Sequence, residues 1–413
     1  MRAIKKLLSA FDVTVKQIRP LLETVDRSLP LSRLDDTGLF ELGAQQDWQR
    51  HEQHSEIDTD FIPLVKPTLP ELEDVFWVVK RSYASGMVTS GQVVKLFESD
   101  LRSFTEVEHA IAVSSGTAGL MLVFSALNFP KGAEVIVPSF TFAATVHALL
   151  WNGLTPVFVD CIPGRMTLDP EEVVRALSSK TVAIHPVTVF GLPPDVDDLE
   201  AISRETGIPL IYDSAQGLGA TYTGRRLGGF GLCEVFSLSP SKAITSMEGG
   251  TITTNSRELA DKLRSMRNYG KAADGQEIVY MGLSARMVEI DAAVGLLNLR
   301  RAESLLDNRM TLIRKYCERL KDIPGCSHQE FPPDRTPSGS HFAFRVGPRV
   351  AIGRDGLIRE LRARNIESRA YFSPPAHAHP IVRNRPHRVV GQLPVTWACS
   401  QECVALPLYS DMT

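Results

Sequence analysis

Residues 234–255 read EVFSLSPSKAITSMEGGTITTN. An apolar run ends in a serine-rich turn, a single lysine follows, and a glycine pair leads into a second β-prone run. That order predicts two strands joined by a loop that carries Lys242. No acidic residue follows Lys242 until Glu248, so its neighbours are small or apolar. An amine in such surroundings gives up its proton more readily than in water and can then attack a carbonyl to form a Schiff base. Ser237, five residues upstream, offers a hydroxyl to a phosphate. The plainer reading of any one lysine is a solvated surface residue.

Working outward, three more stretches place polar groups where an apolar run stops. In IPLIYDSAQ (208–216) four apolar residues lead straight into Asp213. A buried carboxylate is costly without a partner. A pyridinium nitrogen is a suitable one, because a carboxylate that keeps the ring protonated makes it an electron sink. Gln216 could donate to a phenolate oxygen of the same ring. The competing reading is a helix N-cap, with Asp213 capping Gln216. In PSFTF (138–142) an aromatic could lie on a planar ring, a contact worth about 0.5–1.5 kcal/mol beyond area burial. Taken alone, the plainer reading is that Phe140 and Phe142 are both core. SSGTAGL (114–120) is a small turn entering an apolar helix. Free N–H groups at a helix start face an anion, Gly116 allows close approach, and Thr117 adds a hydroxyl. An ordinary N-cap is the alternative there.

From about residue 61, short apolar runs alternate with helical stretches. The runs are HAIAV (109–113), EVIVP (134–138), TPVFVD (155–160), TVAIHPV (181–187), IPLIYD (208–213), EVFSL (234–238) and GTITT (250–254). PEEVVRALSS and DVDDLEAISRET are among the helices between them. The alternation predicts right-handed crossovers and a mostly parallel sheet, which binds ligands at the carboxyl ends of its strands. Residues 291–320 turn helical, and a smaller α/β unit follows. The expected organisation is an N-terminal extension and linker (1–60), a large domain (61–290) and a helix with a smaller domain (291–413).

The length of 413 residues suits that division. The charge, 45 − 48 = −3, carries no footprint for nucleic acid or an anionic membrane. Residues 135–159 hold no charge, but Pro138, His147, Asn152, Gly153 and Pro156 divide them into strand, loop, helix and strand, not a spanning helix. The six cysteines form no CxxC pair and read as reduced thiols of a cytoplasmic protein. The basic start, MRAIKKLLSAF, is too short and mixed for a signal peptide. Residues 4–22 read as an amphipathic helix. His51, Glu52 and His54 miss the HExxH pattern, since position 55 is serine, and no metal site is expected.

Taken together these motifs resemble the DegT/DnrJ/EryC1/StrS family of sugar aminotransferases over residues 61–413. The resemblance rests on SGMVTSGQVVKLFE (85–98), SSGTAGL, PSFTFAAT, PVFVD, DPEEV, YDSAQGLGA, FSLSPSKAITSMEGG, RNYG (267–270) and GLSARMVEIDAAVGLLNL (282–299). It implies an α/β fold-type-I transferase dependent on pyridoxal 5'-phosphate (PLP), with a mostly parallel seven-stranded central sheet. It also implies a homodimer with active sites at the interface. By the same resemblance Lys242 carries the cofactor and moves the proton, while Asp213 pairs with the pyridine nitrogen. Phe142 stacks on the ring, Gln216 meets its phenolate oxygen, and Gly116, Thr117 and Ser237 hold the phosphate. Ser284 stands where relatives have an asparagine that reaches the neighbouring subunit's phosphate. Thr188 replaces a common histidine, and relatives continue past LPLYSDMT into a final helix.

The activity implied is transfer of an amino group from glutamate or glutamine to a nucleotide-linked keto sugar. A PLP-dependent sugar dehydratase and a keto-cyclitol aminotransferase use the same machinery. The dehydratase branch carries histidine at the lysine position, whereas this chain has Lys242. A non-catalytic regulatory member would be expected to lose Lys242 or Asp213, and both are present.

Overall fold

The computed structural model describes residues 61–272 and 274–412. The readings of residues 4–22 and of His51, Glu52 and His54 fall outside these. Each of the seven apolar runs forms a strand: β1 (His109–Val113), β2 (Glu134–Pro138), β3 (Thr155–Val159), β4 (Thr181–Ile184), β5 (Ile211–Asp213), β6 (Cys233–Ser237) and β7 (Gly250–Thr254). Strands β3, β2 and β4 pair in parallel. Parallel bridges at Ile184–Leu210 and Val187–Asp213 join β4 to β5. Beyond them β5 and β6 run parallel, and β7 lies antiparallel between β6 and β1. Arg388–Val389 pairs in parallel with the outer edge of β3, so the C-terminal part of the chain adds an eighth strand to these ladders.

The reversed direction of β7 has a local cause. A parallel return needs a crossover, usually a helix. Residues 238–249 contain none. They fold back on themselves, with the Leu238 N–H donating to the Gly249 carbonyl (2.9 Å) and the Ser246 N–H to the Leu238 carbonyl (2.9 Å). Lys242 therefore rides on a loop closed at its base.

The apolar runs are unbroken because both faces of the sheet are covered. Side chains alternate across a strand. Val135 and Val137 of β2 accordingly enter one core with α3 (Gly116–Leu127), α4 (Ala143–Trp151) and α7 (Arg257–Met266). Ile136 enters the opposite core with α2 (Gln92–Thr105), α5 (Pro170–Ala176), α6 (Val196–Thr206) and α8 (Glu289–Arg300). Helix α1 (Leu72–Ser85) adds Val75 to this second core. Gly91 begins α2 without a side chain to cap it. Buried Glu289 supplies the acceptor, taking the N–H groups of Gly91, Val93 and Val94 at 2.8, 2.9 and 3.1 Å.

The uncharged stretch around residues 135–159 is strand, helix and strand, as its breaks predict. No helix among the described residues is long and apolar enough to cross a membrane. The helical region after residue 290 is two helices, α8 and α9 (Ala302–Leu320), broken at Arg301. A second, antiparallel sheet of β8 (Cys326–His328), β9 (Phe342–Val346) and β10 (Cys403–Leu406) follows. It packs with α10 (Gly353–Arg362) around its own cluster, which includes Phe342, Phe344, Leu357 and Leu406. Asp160, just after β3, ties this part to the large sheet. Its carboxylate accepts the Val395 N–H (2.9 Å), the Thr396 N–H (2.7 Å) and the Thr396 hydroxyl (2.7 Å) in the first turn of α11 (Pro394–Glu402).

Candidate active site

The carboxyl ends of β1, β2, β5 and β6 open on one cavity of about 260 Å³. Of the eight residues that the sequence singles out, seven line it: Gly116, Thr117, Phe142, Asp213, Gln216, Ser237 and Lys242. Ser284 does not. It is exposed, in a bridge with Asn268 near Arg286 and Tyr269.

The anion end is built first. Ser115 caps α3 by accepting the Ala118 N–H at 3.1 Å. The next residue must be small, since a Cβ at Gly116 would lie 3.0 Å from that of Ser237. Gly250 is tighter still, because a Cβ there would sit 2.5 Å from the Gly116 nitrogen. Small residues thus bring the amino end of a 12-residue helix against Ser237, where an anion meets N–H groups and a hydroxyl.

Asp213 is buried, at 3% exposure, and no helix follows it. The helix-cap reading therefore fails. The Asp213 Oδ1 accepts the Ala215 N–H (3.1 Å), and Oδ2 accepts the Thr145 hydroxyl (2.7 Å). Since Thr145 spends its proton on Asp213, Thr141, 2.7 Å away, is the donor to Thr145. Among the described residues no cation forms a salt bridge with Asp213. Beneath it His185 is fully buried, with Nδ1 against the Ile211 carbonyl and Nε2 unpartnered.

Burial pushes the Lys242 ammonium down to about 8, and the Asp213 charge opposes that fall only in part. A substantial share of the amine is thus neutral near physiological pH. The two phenylalanines of PSFTF separate: Phe140 is wholly buried in the core, while Phe142 is 61% exposed and faces the cavity. Gln216 has two protein partners. Its Oε1 accepts the Phe190 N–H (2.7 Å), and its Nε2 lies 3.2 Å from His341 Nδ1. Thr188 is buried at the cavity wall, 3.3 Å from the Ser214 hydroxyl.

Sequence reading missed Thr145, His341, Tyr371 and Phe372, all on the cavity wall. Thr145 had a signal, because it stands one helical turn after Thr141 at the start of α4. The other three arrive from the C-terminal part by tertiary folding and carry no local signature.

This donor set fits PLP. A buried carboxylate without a cation suits a pyridinium nitrogen. A partly neutral lysine suits the carbonyl, a helix start with serine suits the phosphate, and an exposed aromatic suits the ring face.

The model of the DegT/DnrJ/EryC1/StrS aminotransferase family matches residues 72–413. Among solved structures, DesI in the presence of its TDP-sugar product is 32% identical with a TM-score of 0.78, over 84% of this chain and 88% of that one. DesV from S. venezuelae is 30% identical with a TM-score of 0.76, over 84% and 95%. The fold is shared with the E. coli GDP-4-keto-6-deoxy-D-mannose-3-dehydratase, at 24% identity and a TM-score of 0.79 over 84% and 95%. With the match running from α1 to residue 413, this protein belongs to the DegT/DnrJ/EryC1/StrS family and is a PLP-dependent aminotransferase.

Proposed function

We propose that this enzyme moves an amino group from glutamate or glutamine to a keto sugar carried on a nucleotide. The observation that carries the reading is the meeting of Lys242 and Asp213 in one cavity at the strand ends. The donor and the sugar are supported by family membership and by the TDP-sugar product described with DesI.

When bound, PLP supplies a carbonyl to hold nitrogen and a ring to take up an electron pair. The protein groups do the rest. Asp213, steadied by Thr145, holds a proton on the ring nitrogen. Phe142 would cover the ring face, and Gly116, Thr117 and Ser237 would hold the phosphate. Lys242 Nζ removes the proton from the carbon that gives up nitrogen. It would return one to the carbon that receives nitrogen, and its amine is the group available to release the product.

The fold alone does not separate this from dehydration, because a sugar dehydratase shares it. Lys242 favours transfer, since an amine is needed to release an aminated product.

A homodimer with shared active sites is part of this reading. Tyr269, Tyr280 and Met281 are exposed large apolar residues beside Ser284. By the family resemblance, a second copy of the chain would cover them and Ser284 would face the neighbouring subunit's phosphate.

A single turnover with pyridoxamine phosphate on the protein and a panel of nucleotide-linked keto sugars tests the reading. Mass spectrometry should find one nitrogen gained and every sugar hydroxyl retained. Loss of a hydroxyl with no nitrogen gained would assign the dehydratase branch.

A further inference from the structure

The turn Ser338–His341 crosses from the second sheet to the cavity and grips Gln216 twice. The Ser338 hydroxyl donates to the Gln216 carbonyl, and the Ser338 N–H donates to the Gly191 carbonyl at 3.0 Å. His341 then meets the Gln216 side chain. The turn is held from behind by buried Arg309. Its Nη1 donates to the Gly339 and Ser340 carbonyls at 3.1 and 3.4 Å, and its Nε to the Ser410 hydroxyl at 2.9 Å.

These bonds settle where the imidazole proton lies. Gln216 Oε1 is committed to the Phe190 N–H, so its Nε2 faces His341. An amide nitrogen only donates, so His341 Nδ1 must accept, and the proton sits on Nε2. Burial, together with the nearby charges of Lys242 and Arg309, holds the ring well below the usual imidazole range, so it stays neutral. Nδ1 is taken, and among the described residues no bond is seen from Nε2. The ring lines the same cavity as Lys242. What it offers a ligand is one fixed N–H.

We propose that His341 is a specificity-determining hydrogen-bond donor for the amine acceptor, giving its Nε2–H to an oxygen beside the carbon that takes nitrogen. This rests on the aminotransferase reading above. The class selected is an oxygen-bearing carbonyl compound, such as a hydroxyketone of a sugar, over a plain alkyl ketone. The ring takes no proton in the reaction. Through Gln216 it ties that contact to the segment directly after Asp213, so acceptor and cofactor are registered against one another.

Two measurements test this. The first needs no turnover: nitrogen NMR of histidine-labelled protein should show His341 with Nδ1 bare and Nε2 protonated, unchanged between about pH 6 and 8, the range that spans an ordinary histidine. A proton on Nδ1, or titration in that range, would overturn the proposal. The second compares half-reactions in His341→Phe and His341→Gln. Removal of a single hydrogen bond predicts an acceptor-side kcat/KM for the Phe variant about tenfold to a hundredfold lower, chiefly through KM, with donor-side rates little changed. His341→Gln keeps an N–H and should recover most of the loss. Equal loss in both half-reactions, or no loss in either, contradicts the assignment. A wild-type protein that takes nitrogen from glutamate but aminates no keto sugar defeats the functional reading instead, whatever the variants do.

Discussion

Thr145 donates to Asp213 across 2.7 Å, and among the described residues that hydroxyl is the one side-chain donor seen on this buried carboxylate. It fixes the direction of the carboxylate and lightens the cost of burying its charge. Thr145→Val keeps the shape and removes the bond. A charge-assisted bond of about 1.5–3 kcal/mol corresponds to PLP affinity lower by roughly tenfold to a hundredfold, and Thr145→Ser should stay near wild type. Titration of the apoprotein by absorbance reads both.

Asp213→Asn tests the carboxylate itself. The amide fills the same space without the charge that keeps a ring nitrogen protonated. The protein should fold and bind cofactor, while turnover falls on the order of a hundredfold or more, as when a preorganised electrostatic partner is lost. Turnover within a few-fold of wild type would remove Asp213 from the proposed role.

Lys242 sets a pH dependence whose sign is fixed by burial. Its ammonium is depressed to about 8, so the reactive neutral amine increases as pH rises through that value and declines below it. Capture of PLP by apoprotein should accelerate from neutral pH toward 8 and level off above it. Borohydride reduction should fix the cofactor to the peptide holding Lys242. Label on another lysine, or a rate that falls as pH rises through 8, would contradict this. Lys242→Ala should bind PLP without a covalent bond and without turnover.

Met281 is 87% exposed, beside Tyr280 and Tyr269. If a second subunit covers them, Met281→Asp buries an unpaired charge and should shift sedimentation toward monomer. Activity should then rise with protein concentration. A variant that stays dimeric and fully active would place the interface elsewhere.

Much of this was legible in the chain because parallel strands buried on both faces write themselves as unbroken apolar runs. HAIAV, EVIVP and GTITT match β1, β2 and β7 residue for residue. TVAIHPV runs past β4, which ends at Ile184, but its continuation still pairs, with the His185 N–H on the Ile136 carbonyl and Val187 bridged to Asp213. An apolar run records burial together with pairing, including single bridges beyond the regular strand. The direction of β7 was not legible either, since GTITT reads the same both ways and the loop before it decides. At the site, Lys242 and Asp213 announced themselves by chemistry at a strand end. His341 could not, for it is one histidine among ten, made significant only by the bond to Gln216 125 positions away.

The near-contact of Gly250 with the Gly116 backbone locks two walls of the cavity together. With no room there for even a methyl group, the lysine loop and the anion cradle behave as a single casting. A lineage cannot retune one without breaking the other. The opposite wall, with His341, Tyr371 and Phe372, comes from the C-terminal part of the chain and takes no part in that contact. Residues of that wall can be exchanged without touching the Gly250–Gly116 contact, so the fit between lysine loop and anion cradle outlasts a change at the acceptor side.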